Sequence, residues 1–276
     1  MNLERLVLTE GAALIGGLEA LSGVWDDVFG GVRATGWFST KLHRECVSAP
    51  RCVLAFQGGS RDAEAITGFV LAGAPPSLQG LVRTAGVGVR AHARRRGLGT
   101  LMLKELFTRA RREGARAIQT VATESRVDWY LGLGYRPRRW QLHAASFGRA
   151  DGLTSPTEQE SSPFVVPAAQ YPAQASSPWL PEAWLRTPVE RRFEFHAGPG
   201  RLGISREPGG LLVHWSEPAD ALLVLADDLR RHTPAAQRII LYGVRDEPSV
   251  RRALDATAWT IVQRSAVLRR ELDLRL

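Results

Sequence analysis

The chain has 276 residues, enough for one large domain or two modest ones, and its 44% hydrophobic and 23% charged content is that of a folded globular protein. A net charge of +8 and a pI near 10.4 suit an anionic ligand and also allow weak attraction to nucleic acid, so charge alone decides little. No apolar run reaches the roughly 18 residues of a membrane helix; two cysteines are too few for a disulfide framework, and no Cys/His spacing resembles a zinc site.

The start, Met1-Asn-Leu-Glu-Arg5, has no basic segment followed by an apolar core, so the reading is a cytoplasmic protein without a membrane partner. Leu3 to Leu8 alternates as a first strand, and Leu14, Leu18, Leu21 and Trp25 fall at helical spacing within Glu10 to Trp25. A second helix is expected over Thr35 to Val47. Strands follow at Arg51 to Gln57, Ala65 to Leu71 and Leu81 to Val89. A helix from Gly99 to Glu113 would bury Leu101, Met102, Leu106 and Ala110, with Gly114 as its C-terminal cap. Then come a strand at Ala117 to Ala122, a short helix opened by Ser125, and a closing strand at Trp140 to Phe147.

Residues 150–178 are rich in Pro, Ser and Gln and read as a linker, which divides the chain into domains at 1–149 and 179–276. Beyond it, strands are expected at Glu190 to His196, Arg201 to Ser205, Leu211 to Trp215, Arg238 to Tyr242 and Thr260 to Leu274. Helices are expected at Ala219 to Arg231 and Pro248 to Ala256.

The chemistry gathers at Val87-Gly-Val-Arg-Ala-His-Ala-Arg-Arg-Arg-Gly-Leu-Gly-Thr100, a strand, a basic loop and the start of a helix. Unpaired backbone N–H groups and partial positive charge make a helix N-terminus a phosphate site. The P-loop spelling is absent, because no Gly-Lys-Ser/Thr follows the glycines. The dinucleotide fingerprint fails as well, because Met102 stands where a third glycine or alanine belongs.

Arg94-x-x-Gly97-x-Gly99 after Val-x-Val, with Tyr130-x-x-x-Gly134-Tyr135 farther on, resembles the GNAT N-acetyltransferase superfamily over about residues 1–147. The resemblance implies an α+β class protein with the GNAT acyl-CoA N-acyltransferase fold and a mixed, mostly antiparallel central sheet. It implies acetyl-CoA as cosubstrate, no metal, and a primary amine on a small molecule or peptide as acceptor. Carried over by position, the backbone of Val87, Gly88 and Val89 would meet pantetheine and the acetyl carbonyl. The loop of Arg94, Arg95, Arg96, Gly97, Leu98, Gly99 and Thr100 would hold the pyrophosphate. Tyr130 would be the general acid for the leaving thiolate.

The family often places a glutamate on the strand before the loop, and Leu81 to Val89 has no carboxylate. Glu124 is the base candidate, acting through water, with Glu64 and Asp27 behind it. Arg83, Arg90, Arg109, Arg111 and Arg112 either attract the CoA 3′-phosphate or simply face solvent. Trp25, Trp37 and Phe38, with Trp179 and Trp184, either shape an acceptor pocket or pack the core.

Residues 179–276 echo the later part of the first half and read as a smaller, degenerate GNAT-like domain, or else as an unrelated α+β domain. The strand Leu211 to Trp215 runs into Ser216-Glu217-Pro218-Ala219, where a carboxylate and a proline replace the cradle, so one cofactor per chain is expected. Two further readings stay open: a catalytically silent GNAT-like protein that binds CoA or a partner, and a nucleic-acid binder, which no motif supports. A homodimer is compatible with all of them.

Overall fold

The computed structural model describes residues 6–31, 36–58, 60–148, 183–184, 186–187, 189–207 and 210–273. The linker read at 150–178 and Trp179 lie outside the described residues. Packing divides the chain into two compact units. One comprises Met1–Val121, Asp128–Arg136 and Leu268–Leu276; the other comprises Ala122–Val127 and Pro137–Val267.

The first unit is built from β1 (Leu6–Glu10), α1 (Leu21–Phe29), α2 (Trp37–Arg44), β2 (Val53–Gln57), β3 (Ile66–Gly73), β4 (Leu81–Val89), α3 (Leu98–Arg112), β5 (Ala117–Thr123) and α4 (Val127–Gly132). The helix expected over Glu10 to Trp25 is corrected: two short 3-10 turns, Gly11–Ala13 and Leu18–Ala20, stand in its first part, and α1 begins only at Leu21. Gly16 and Gly17, both at positive φ, break the path that the leucine spacing suggested.

Strands pair in the order β1-β2-β3-β4-β5, antiparallel except for β4 with β5. Every residue of β3 is buried, as expected of an apolar run covered on both faces. Leu21, Val24, Trp25, Phe38 and Leu42 from α1 and α2 cover one face around Phe56, Phe69 and Leu71. α3 buries Leu98, Met102, Leu103, Leu106, Phe107 and Ala110. Leu101, expected in that set, is 48% exposed.

The second unit contains β6 (Arg136–Phe147), β7 (Arg192–Ala197), β8 (Gly200–Glu207), β9 (Gly210–Glu217), α5 (Leu222–His232), β10 (Arg238–Arg245) and α6 (Pro248–Asp255), with most of β11 (Thr260–Glu271). Its strand order is β6-β10-β9-β8-β7, parallel only between β9 and β10. Leu202, Ile204, Leu225, Leu229, Leu241 and Trp259 form its core. β6 closes the first half in sequence, but from Pro137 onward it packs in this second unit and pairs with β10.

Within that unit His143 of β6 is buried, 2.7 Å through Nε2 from Ser265 Oγ, with its ring 4.2 Å from Tyr242. Burial lowers its pKa from 6.5 to about 4. Because the folded protein resists protonating this ring, its contribution is complete above pH 6.5 and is lost as pH falls from 6.5 toward 4. The shift corresponds to about 3 kcal/mol. Urea unfolding at stepped pH should show this loss in the parent protein and a flatter profile in His143→Asn. Matching profiles would refute the assignment.

Candidate functional site

The site begins with how β4 ends. β4 pairs with β5 at only three positions, Leu81↔Ala117, Val82↔Ile118 and Arg83↔Gln119. Beyond Arg83 it continues to Val89 paired with β3, and among the described residues no strand pairs with Thr84 to Val89 on the β5 side. The register against β3 also shifts: Leu71 faces Gly86 and Ala72 faces Thr84, leaving Ala85 as a bulge. Ala85 and Gly86 therefore both turn toward α1, Ala85 into its core and Gly86 under the Trp25 ring. The two strands part beside this bulge.

Gly86 is fixed by close approach. A Cβ there would lie 2.6 Å from the Trp25 ring, and one at Gly88 would lie 2.5 Å from Phe69. Trp25 is 7% exposed and stacks on Phe69 at 5.6 Å, with Phe38 at 5.7 Å. Trp25 and Phe38 are thus core residues of this wall rather than a lining open to solvent. Gly86→Val should cost about 1–3 kcal/mol through overpacking, read as a lower melting temperature; an unchanged value would show that Trp25 can swing aside freely.

After β4 the chain turns through Ala91–Ala93 into the N-terminus of α3. Gly97 is the cap, left-handed at φ 78°, and Arg95 shares the left-handed region at φ 62°. No side chain caps the helix and no acidic residue lies in its first turn, so the leading N–H groups face outward under the positive end of the helix. The first intrahelical bond of the cap runs from Leu101 N–H to Gly97 O at 3.0 Å. The space that a Cβ on Gly97 would occupy is open for 4 Å.

The loop arginines divide their labour. Arg94 donates through Nε to Val89 O and through Nη2 to Val28 O, both at 2.9 Å, so its guanidinium buttresses the loop against β4 and α1. Arg95 and Arg96 are exposed beside the helix N-terminus. Of the outlying arginines, Arg83 is buried against Glu45 at 3.5 Å and Arg90 lies 3.6 Å from Asp27. Arg109 donates to Glu105 at 2.8 Å. Arg109, Arg111 and Arg112 occupy the last turn of α3, roughly 18 Å along the axis from its N-terminus. There they complement the negative end of the helix, well away from the cradle.

α4 braces the N-terminus of α3 through Trp129, which the sequence places on the short helix without marking it as a site residue. Its Nε1–H donates to Thr100 Oγ1 at 3.3 Å, and its ring stands 3.3 Å from where a Gly99 Cβ would sit. Gly99 thus admits an indole as well as a close approach to the helix end. Tyr130, next in sequence, is 6% exposed and meets Tyr135 edge-on at 5.2 Å. Tyr135 is fully buried, and that burial pushes its phenol well above its ordinary range. Arg270 of β11 donates to Leu133 O at the end of α4 and lies 4.4 Å over Phe107.

Glu124, the base candidate, belongs to the second unit by packing. It is exposed and ion-paired with Arg264 Nη1 at 2.5 Å. Glu64 and Asp27 are also exposed, and Asp27 is engaged with Arg90. A different carboxylate approaches β4. Glu45 at the end of α2 is ion-paired with Lys41 and faces Arg83, and Lys41 lies 5.1 Å over Trp25. Burial depresses the Lys41 ammonium pKa. Burial acts to raise that of Glu45, but Lys41 and Arg83 outweigh it and hold the carboxyl below its ordinary range. This cluster fastens α2 to β4 and offers little basicity.

Together these features define an α+β protein whose central parallel strand pair parts beside a bulge, with an open helix N-terminus following the first strand of the pair. Residues 18–135 match the Acetyltransferase (GNAT) family, so this segment is a GNAT domain, and the chemistry of that family is in general acyl transfer. Nothing among curated proteins matches the chain. Among solved structures it is similar to a protein of Pyrococcus horikoshii at 14% identity, with 99% of this chain and 92% of that one covered and a TM-score of 0.64. It is also similar to a GCN5-related N-acetyltransferase from Sphaerobacter thermophilus at 15% identity, with 98% and 96% covered and a TM-score of 0.62. A tandem GNAT protein from the clavulanic acid biosynthesis pathway matches at 13% identity, with 97% and 99% covered and a TM-score of 0.57. At such identities these likenesses concern the fold.

Proposed function

We propose that the protein is an N-acetyltransferase that moves the acetyl group of acetyl-CoA to a primary amine of a small molecule or peptide, and that its two halves are a tandem pair of which only the first binds CoA. The observation that carries this reading is the parting of β4 from β5 directly before the uncapped N-terminus of α3, two anion- and amide-binding features in one unit. The N–H groups of Arg95 to Thr100 hold the pyrophosphate, with Arg95 and Arg96 adding attraction and Arg94 keeping the loop in place. The open edge of β4 at Val87, Gly88 and Val89 pairs with the pantetheine amides, and a backbone N–H there polarises the acetyl carbonyl.

Acetyl-CoA supplies an activated thioester. The amine attacks its carbonyl carbon, the carbon–sulfur bond breaks, and Tyr130 returns a proton to the thiolate. With Glu124 held by Arg264, the proton of the amine leaves through water. A thiol-release assay with acetyl-CoA over a panel of primary amines tests the proposal: release that depends on both substrates supports it. Acetyl-CoA-dependent thermal stabilisation without release for any amine would instead favour a silent CoA-binding member of the family.

A further inference from the structure

The second unit repeats the strand arrangement of the cradle with the opposite charge. β9 pairs in parallel with β10 at three positions only, Leu211↔Ile239, Leu212↔Ile240 and Val213↔Leu241. The register of β9 against β8 then shifts, Gly203 facing Trp215 and Ile204 facing Val213, which leaves His214 as a bulge. β10 has its own irregularity against β6 between Leu241 and Val244, with Gly243 at φ 73°. Two bulges facing one parting pull the strands away from each other. From His214 to Glu217 on β9 and from Tyr242 to Arg245 on β10, the facing backbone edges have no strand partner across the gap among the described residues.

The gap is a cleft of about 370 Å³, within the range of specific ligand sites. Val213, Leu223 and Val250 give it apolar walls, and His214, Ser216 and Tyr242 give it polar ones. The bulge is held in place from behind: Ser205 Oγ lies 2.9 Å from His214 Nε2 and donates to Glu207 at 2.8 Å, and Arg191 grips Glu207 at 3.0 Å.

At the mouth the chemistry reverses that of the first unit. Where β4 leads to three arginines and Gly97, β9 leads to Glu217, Pro218 and Asp220. Pro218 has no N–H to offer an anion. Glu217 is occupied by Arg201 at 2.6 Å. Asp220 lines the cleft, is exposed, and has no ion-pair partner among the described residues. Arg245 also lines the cleft, but Glu247 beside it in the lining lies 3.8 Å away and offsets its charge, so the balance left by Asp220 is negative, which repels pyrophosphate and attracts a cation. Open strand edges, alternating apolar and polar walls and an acidic mouth are together the recognition chemistry of an extended polypeptide.

We propose that the cleft between β9 and β10 binds an extended peptide segment as a short added strand, with a lysine or arginine of that segment paired to Asp220. The site is separate from the acetyl-CoA reading of the first unit and does not rest on it. The test is a titration of the ¹⁵N-labelled full chain with a pool of acetylated, amidated hexapeptides that carry a central lysine among mixed Ala, Val, Leu and Thr. Saturable amide shifts are expected over Gly210–Glu217 and Arg238–Arg245. Asp220→Lys, an exposed substitution that leaves the fold intact, should weaken binding at least tenfold and turn the preference toward a glutamate-centred pool. An absence of shifts in those two strands, an affinity untouched by Asp220→Lys, or movement of the same amides by CoA would overturn the proposal. Acetyl-CoA added to the same samples reports separately through the amides of Leu98, Gly99 and Thr100, so failure of one site is distinguishable from failure of the other.

Discussion

Gly97→Val should abolish the acetyl-CoA-dependent rise in melting temperature while leaving a folded protein. For the parent, acetyl-CoA at a hundred times its Kd adds about 2.7 kcal/mol of stability, which for a chain of this size is roughly 5–10 °C. Two effects act together in the variant. Gly97 sits at φ 78°, and a β-branched residue there costs on the order of 1–3 kcal/mol of strain that distorts the cap. The new side chain also projects into the space left open at Gly97, in front of the amides that would hold phosphate. Gly97→Asn separates the two effects, because asparagine accepts the left-handed conformation and still fills that space. The expected result for Gly97→Asn is a near-parental melting temperature without ligand and a much reduced response to acetyl-CoA. Parental affinity in both variants would show that the phosphate is bound elsewhere.

The strand and helix of the proposed cradle are legible in the sequence because their signals are local. An apolar run that follows Gly80 defines β4 from Leu81 to Val89 as expected, and a glycine cap followed by a helical pattern places α3 within one residue at each end. What was hidden depends on contacts between residues distant along the chain. Nothing beside Arg94 in sequence says that its guanidinium meets Val28 O, 66 residues away. Nor does the sequence around Glu45 announce Arg83, because that pairing requires α2 to lie on β4. Glu124 looked available only because Arg264 is 140 residues downstream.

Bulges are only partly legible. Gly86 and Gly88 in β4 fit a bulge or a close backbone approach, but the extra residue is Ala85, and the side chains that fill the space over the two glycines are Trp25 and Phe69. The parting of β9 from β10 has no glycine-rich signature to mark it. The leucine spacing before Trp25 was misleading for the opposite reason: the periodicity is real, but Gly16 and Gly17 interrupt the backbone that would have expressed it.

Tyr130→Phe should lower kcat by about 10²–10⁴-fold, the range of general acid catalysis, with the KM for acetyl-CoA within about twofold of the parent. The ring of residue 130 keeps its edge-on contact with Tyr135, so stability should change by less than about 1 kcal/mol and a rate loss is not a folding loss. Tyr135→Phe is the informative comparison. Its hydroxyl is sealed in the core against Phe107 and Tyr130, with its proton held more tightly than an ordinary phenol's. Removing it should leave kcat unchanged. If the two variants lost activity equally, both would be acting through packing of α4 against the cradle, and the acid would have to be sought among other groups or water. If only Tyr130→Phe lost activity, the loss should shrink with acyl donors whose leaving thiol is more acidic, because a thiolate that departs readily needs less help from a proton. That dependence on the leaving group separates proton donation from mere positioning, since a misplaced substrate would slow every donor alike.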